Sequence, residues 1–106
     1  MVTETTPNEL ASKLDADGET DLTVLDIRDP SAYAEGHVAG AENVPARRLS
    51  AATLDREWGD EVVVACYVGK SSRRVASILD SRLDADVSSL SGGFDAWDGP
   101  TESADD

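Results

Sequence analysis

The chain is short of the residues that most often staple a small protein or bind it to a metal. Cys66 is the one cysteine among 106 residues. An intramolecular disulfide is therefore impossible, and a zinc site built from cysteines alone is excluded. With His37 as the one histidine, the usual structural metal sets are also out of reach, and neither a metal nor another cofactor is expected. Lysine occurs only at positions 13 and 70. No run approaches the ~18 apolar residues of a membrane-spanning helix, so no membrane role is expected. Residues 1–7 carry neither the basic start nor the apolar centre of a secretion signal, which makes the cytoplasm the expected compartment.

Positive charge is scarce overall. The chain has 22 acidic residues against 9 basic ones, a net charge of −13. Nucleic acid is excluded as a partner, because binding it needs a basic face. A disordered chain is argued against by 40% hydrophobic residues set in periodic runs. Docking on a basic partner would call for one acidic block, whereas here the acids are spread along the whole chain. Their spread fits a halophilic, strongly acidic surface, on which repulsion is screened within about 3 Å at ~1 M salt.

The length fits one domain, placed at residues 1–98, with a small, polar and flexible acidic tail at 99–106. Strand and helix signals alternate along the body. Thr6-Pro7-Asn8-Glu9 forms a capping box, and the helix after it puts Leu10, Ala11 and Leu14 on one face. Residues 22–27 read as a strand. Asp29-Pro30 caps a short helix to Glu35, with Gly36 as its stop. Residues 41–44 suit a short strand, and Ser50 caps a helix running to Trp58. The β-branched run Glu61-Val62-Val63-Val64-Ala65 reads as a strand buried on both faces. Ser71 or Ser72 caps the next helix, whose buried stripe is Val75, Ile78, Leu79 and Leu83. Residues 86–90 form a last strand, and Gly92-Gly93 turns into a helical turn bearing Phe94 and Trp97 as core closure. The fold class is α/β: a mostly parallel five-stranded sheet flanked by helices on both faces.

In such sheets, sites form beyond the carboxyl ends of strands, which is where Cys66 falls. A strand, a cysteine, a short glycine-containing loop and a capped helix bring backbone N–H groups and a helix N-terminus together above the sulfur. That field favours a thiolate and holds an anion against it. Gly69 permits a backbone path that a side chain would obstruct. Lys70, Arg73 and Arg74 add local positive charge, with solvation of a helix start as the bland alternative. For Cys66 itself the bland alternative is a buried structural thiol.

Two cysteine chemistries use such a cradle. A Cys-x5-Arg phosphatase, or an arsenate reductase, needs Arg six positions after the cysteine to grip the oxyanion bidentately. Here position 72 is serine and the arginine falls at 73. Sulfur transfer asks for less: a thiolate attacks a sulfane sulfur, an anion leaves, and the resulting persulfide is stabilised by N–H groups.

Four stretches together resemble the rhodanese family, specifically its single-domain members. They are residues 24–29, with Asp26-x-Arg28; residues 33–45, with Gly36-His37-x-x-Gly40-Ala41-x-Asn43-x-Pro45; the loop 66–72; and residues 90–97, with Gly92-Gly93-x-x-x-Trp97. The resemblance implies thiosulfate:cyanide sulfurtransferase activity, with Cys66 as catalytic nucleophile and persulfide carrier. It places Tyr67, Val68, Gly69, Lys70, Ser71, Ser72 and Arg73 around the substrate. Many family loops read Cys-x-x-Gly-x-Arg-Ser, and this chain has Ser71 at the Arg position, with Lys70 or Arg73 available to compensate. His37 is expected to fix a turn, and Asp26 and Arg28 to brace loops. The implied partners are a small anionic sulfur donor and a thiol acceptor, or a sulfur-relay protein. The molecule is expected to be a monomer. With no second cysteine to resolve a persulfide, an external acceptor must clear it. A sulfur-carrier module with little turnover of its own is the alternative from another class.

Overall fold

The computed structural model describes residues 3–15, 22–50, 58–67, 70–83 and 85–103. Its elements are β1 (Thr3–Thr5), α1 (Pro7–Asp15), β2 (Leu22–Asp26), α2 (Pro30–Glu35), β3 (His37–Val38), β4 (Glu42–Asn43), β5 (Glu61–Ala65), α3 (Lys70–Arg82), β6 (Asp86–Leu90) and β7 (Thr101–Glu102). Short 3₁₀ turns occupy Ala46–Arg48 and Phe94–Ala96. The main sheet has the order β1-β6-β5-β2-β4, and each of its strand pairs is parallel. The α/β reading and the five-stranded sheet are thus observed.

The run Glu61–Ala65 takes the centre of that sheet, and strand alternation divides its side chains between two cores. Val62, Val64 and Cys66 pack with Val75, Ala76 and Leu79 of α3 on one face. Val63 and Ala65 pack with Leu10 of α1, and with Leu90 and Trp97, on the other. An unbroken apolar strand is what two covered faces require. At the start of α1 the Glu9 amide donates to Thr6 Oγ1 at 3.1 Å, and the Thr6 amide donates to Glu9 Oε1 at 2.9 Å. This is the reciprocal capping box.

Several local expectations are corrected. Ile78 is 49% exposed and does not join the α3 stripe; Ala76, Leu79 and Ser72 fill that face, because the helical repeat turns position 78 away from the sheet. Neither Ser71 nor Ser72 is the cap of α3, which already opens at Lys70. Asp29 sits at the α2 N-cap without a side-chain cap bond, its carboxylate being held instead by Arg47 at 2.5 Å. Gly36 ends α2 with φ 171°, extended backbone and no left-handed turn. The stretch 99–106, expected as a flexible tail, differs through residue 102: β7 pairs antiparallel with β3. The Pro100 carbonyl accepts from the Ala39 amide and from Trp97 Nε1, and Glu102 Oε1 accepts from the Gly40 amide. Those unpaired backbone groups of β3 and its turn are what the tail satisfies. Pairing of β1 alongside β6 was not foreseen. The helix expected from Ser50 to Trp58 lies largely outside the described residues.

Candidate active site

The end of β5 delivers Cys66 into the layer between the sheet and α3. The residue is 3% exposed. Its sulfur meets the first turn of α3 at Ser72, whose amide donates to Sγ at 3.3 Å and whose hydroxyl oxygen lies 3.3 Å from Sγ. The first four amides of a helix have no partner within it, so the Ser72 N–H spends its free donor on the sulfur. That first turn contains no acidic residue, although acids are favoured there by the helix dipole. The positive end of α3 is thus left to the cysteine and to whatever anion approaches it. Behind Ser72, its hydroxyl is 2.7 Å from the hydroxyl of Ser89 on β6, and both serines have no exposed surface.

A second support holds the chain just after Cys66. The Phe94 amide donates to the Cys66 carbonyl at 2.7 Å, and the Asp95 amide donates to the Tyr67 carbonyl at 3.0 Å. Gly93 makes this approach feasible. A Cβ on it would lie 2.6 Å from the Cys66 carbonyl oxygen, and its φ of 63° with ψ of −161° is a region that other residues essentially avoid.

Arg28 forms the third support. Buried at 6% exposure, it grips Asp26 by Nε and Nη2 at 2.7–3.1 Å and donates to the Gly36 carbonyl at 2.6 Å. Its guanidinium carbon stands 4.4 Å from the Phe94 ring centre and 5.7 Å from that of Tyr67, within cation–π range. Asn43 Nδ2 closes the same corner, donating to the Asp26 and Arg28 carbonyls at 3.0 Å. Asp26 and Arg28 thus brace loops, as the sequence suggests.

His37 also behaves as a structural residue. Its ring stacks on Tyr33 at 3.7 Å, and Nδ1 lies 2.7 Å from the Tyr33 carbonyl, to which it donates. Tyr33 in turn donates its hydroxyl to the Ala41 carbonyl. Burial, followed by the carboxylates of Asp26, Glu102 and Glu42, pushes the Tyr33 phenol above its ordinary value of 10.0, which keeps that donor protonated.

Of the residues singled out in the sequence, Cys66 and Ser72 are brought together, and Tyr67 stands half-exposed with its ring against Arg28. Ser71 and Arg73 are exposed in the first turn of α3; Ser71 borders a depression of about 270 Å³ with Ala46, Arg74 and Val75. Val68 and Gly69 lie outside the described residues, and so does the side chain of Lys70. Sequence reasoning passed over Ser89. The signal was two adjacent serines inside the strand Val87-Ser88-Ser89-Leu90, where apolar residues are the default. Among the described residues, no group of three or more acidic, His or Cys side chains is placed to hold a metal ion.

A parallel sheet with a cysteine at the carboxyl end of its central strand, gripped by the first turn of the following helix, defines a cysteine-centred strand–loop–helix domain. Residues 6–99 match the Rhodanese-like domain family, and the chain belongs to it. It is 34% identical over 89 residues to a protein of Pseudoalteromonas translucida called thiosulfate sulfurtransferase GlpE, covering 84% of this chain and 85% of that one. It is 45% identical over 83 residues to a protein of the same name from Pseudomonas fluorescens, covering 74% and 72%. The crystal structure of the Alr3790 protein from Anabaena superposes with a TM-score of 0.78 at 33% identity, over 93% of this chain and 82% of that one.

Proposed function

We propose that the protein is a sulfurtransferase of the thiosulfate type, with Cys66 as the nucleophile that carries the sulfur. The observation that carries this reading is the position of Sγ, 3.3 Å from both the amide and the hydroxyl of Ser72 at the start of α3. The amide donor and the helix N-terminus at that distance favour a thiolate over a thiol. The curated relatives' names support the same activity.

The chemistry balances without an outside oxidant. The Cys66 thiolate attacks the sulfane sulfur of thiosulfate; the S–S bond of thiosulfate breaks, and sulfite leaves with its electron pair. Cys66 then holds a persulfide whose terminal sulfur bears the negative charge. A thiolate or cyanide attacks that terminal sulfur and takes it away as a new persulfide or as thiocyanate, and the Cys66 thiolate returns. The Ser72 amide directed at the sulfur stabilises charge through each step. Serine at position 72, with the arginine one place later, supports sulfur transfer over phosphate chemistry, which needs a bidentate Arg grip at that place.

Around this reaction we place Tyr67 at the pocket rim, Ser72 against the sulfur, and Lys70 or Arg73 as the contact for the anionic donor. The acceptor is a small thiol or a sulfur-relay protein, and the protein works as a monomer in a cytoplasm of high salt. The exposed Ser71, standing where many family members have Arg, favours a second reading in which the domain carries persulfide for a partner and turns over free thiosulfate slowly.

Intact-mass analysis after incubation with thiosulfate tests the proposal. One added sulfur atom is expected; it should vanish on adding cyanide and never form in Cys66→Ala. Freshly reduced protein that gains no sulfur would refute the sulfur-transfer reading. Turnover with cyanide as acceptor then separates enzyme from carrier.

A further inference from the structure

Ser89 is a polar side chain in a place built for an apolar one. It lies on β6 in the layer facing α3, where Val62, Val64, Val87 and Leu79 form the core, and it has no exposed surface. Its hydroxyl reaches Ser72 Oγ at 2.7 Å, and Ser72 Oγ is 3.3 Å from Cys66 Sγ. Sulfur and two hydroxyls thus form a continuous chain from the reacting atom into the middle of the sheet. We propose that Ser89 is a positioning residue that tunes the reactivity of the Cys66 sulfur through Ser72.

A serine hydroxyl gives one proton and accepts at two lone pairs. With Cys66 as a thiol, S–H donates to Ser72 and the Ser72 hydroxyl donates to Ser89. When the sulfur ionises, its proton leaves for solvent. The Ser72 hydroxyl then turns to the sulfur anion and the Ser89 hydroxyl turns to Ser72. Each hydroxyl proton stays on its own oxygen and only the direction of the chain reverses. A hydrogen bond to an ion is about twice as strong as a neutral one, and successive bonds polarise each other. Ser89 therefore supports the anionic arrangement more than the neutral one. This role rests on Cys66 being the reacting sulfur, as proposed above.

The test is the pH profile of Cys66 alkylation by iodoacetamide in the wild-type chain, Ser89→Ala, Ser72→Ala and the double variant. Ser89→Ala is expected to move the midpoint upward and to slow alkylation below it by about two- to three-fold. The same change made on top of Ser72→Ala should move nothing. An unchanged midpoint in Ser89→Ala, or an equal shift with and without Ser72, would overturn the proposal in favour of plain packing. If near-ultraviolet circular dichroism shows that Ser89→Ala has not folded, Ser89→Thr and Ser89→Val give the same comparison at matched shape. Thr should keep the native profile and Val should shift it, and identical profiles would overturn the relay. Failure of the sulfur-transfer reading shows separately, in the thiosulfate mass experiment.

Discussion

The carbonyl of Cys66 accepts a hydrogen bond from the amide of Phe94 at 2.7 Å. The chain leaving the central strand is therefore fixed in direction by a segment that follows the last strand of the main sheet. The neighbouring bond, from Asp95 to the Tyr67 carbonyl, adds a second point. Two anchored carbonyls hold the Cys66–Tyr67 peptides while the sulfur is held from the other side by Ser72.

Gly93 is the residue on which that relationship depends. Gly93→Ala places a Cβ 2.6 Å from the Cys66 carbonyl oxygen, in a backbone region costing about 1–3 kcal/mol for other residues. Thermal unfolding should shift down by at least several degrees, and sulfur loading should slow. A variant with native melting and loading rate would mean that the contact relaxes freely.

The buried Asp26–Arg28 pair gives a second expectation. Removing one partner of such a pair costs about 3–5 kcal/mol, because the other charge is left buried. Asp26→Ala and Arg28→Ala should each lower the unfolding free energy obtained from urea titration by that amount. Arg28→Lys should fall short of rescue, since an ammonium cannot reproduce the paired donors. A loss under about 1 kcal/mol for either alanine variant would contradict the role given to the pair.

Donor affinity should respond to position 71. Ser71→Arg adds one charge at the outer edge of the site, and an exposed charge contact of about 0.2–1 kcal/mol corresponds to a few-fold change at most. The KM for thiosulfate is expected to fall by that factor. Lys70→Ala or Arg73→Ala should raise it, and two unaffected values would show that neither cation contacts the donor.

Acid should loosen the N-terminal helix. Hydrogen bonds from the Thr6 amide, then the Thr6 side chain, hold the Glu9 carboxyl below its ordinary value of 4.5. A depressed carboxylate stabilises the fold above its unfolded value and loses that contribution as pH falls through the lower folded value. NMR titration of Glu9 should give a midpoint below 4.5, and Thr6→Ala should move it back up. A titration unaffected by Thr6→Ala would rule out the Thr6 side chain as a cause and leave the shift to the Thr6 amide, which that change retains.

Salt should help. At a net charge of −13, self-repulsion opposes the compact state. Screening strengthens as the Debye length contracts from about 10 Å at ~0.1 M to about 3 Å at ~1 M. The melting temperature is expected to climb over that range of KCl; a steady decline would remove the case for adaptation to high salt.

Much of this was legible from the chain because the signals are local. The capping box needs only Thr6 and Glu9, the double burial of β5 needs only its unbroken apolar run, and the placement of Cys66 follows from a strand that ends beside it. What stayed hidden depends on distant partners. Thr3–Thr5 is too short and too polar to announce a strand, and becomes one through pairing with β6. Thr101–Glu102 is ordered by β3, which no composition rule could see. Ser89 looks like a weak strand residue until α3 brings Ser72 to it. Ile78 was misplaced because the sequence shows that it is apolar but not which way a helix of this length is rotated against its sheet.

The depth of Cys66 has a consequence for how the protein ages. A disulfide needs two Cα atoms within about 7 Å of each other, and a cysteine at the floor of its layer, 3% exposed, cannot approach its counterpart in a second copy that closely while both remain folded. Exposure to air should therefore leave the protein free of covalent dimers. The thiol's oxidative fate runs instead through small reagents that reach the sulfur alone, and an acceptor for its cargo must likewise present sulfur at the end of a slender arm.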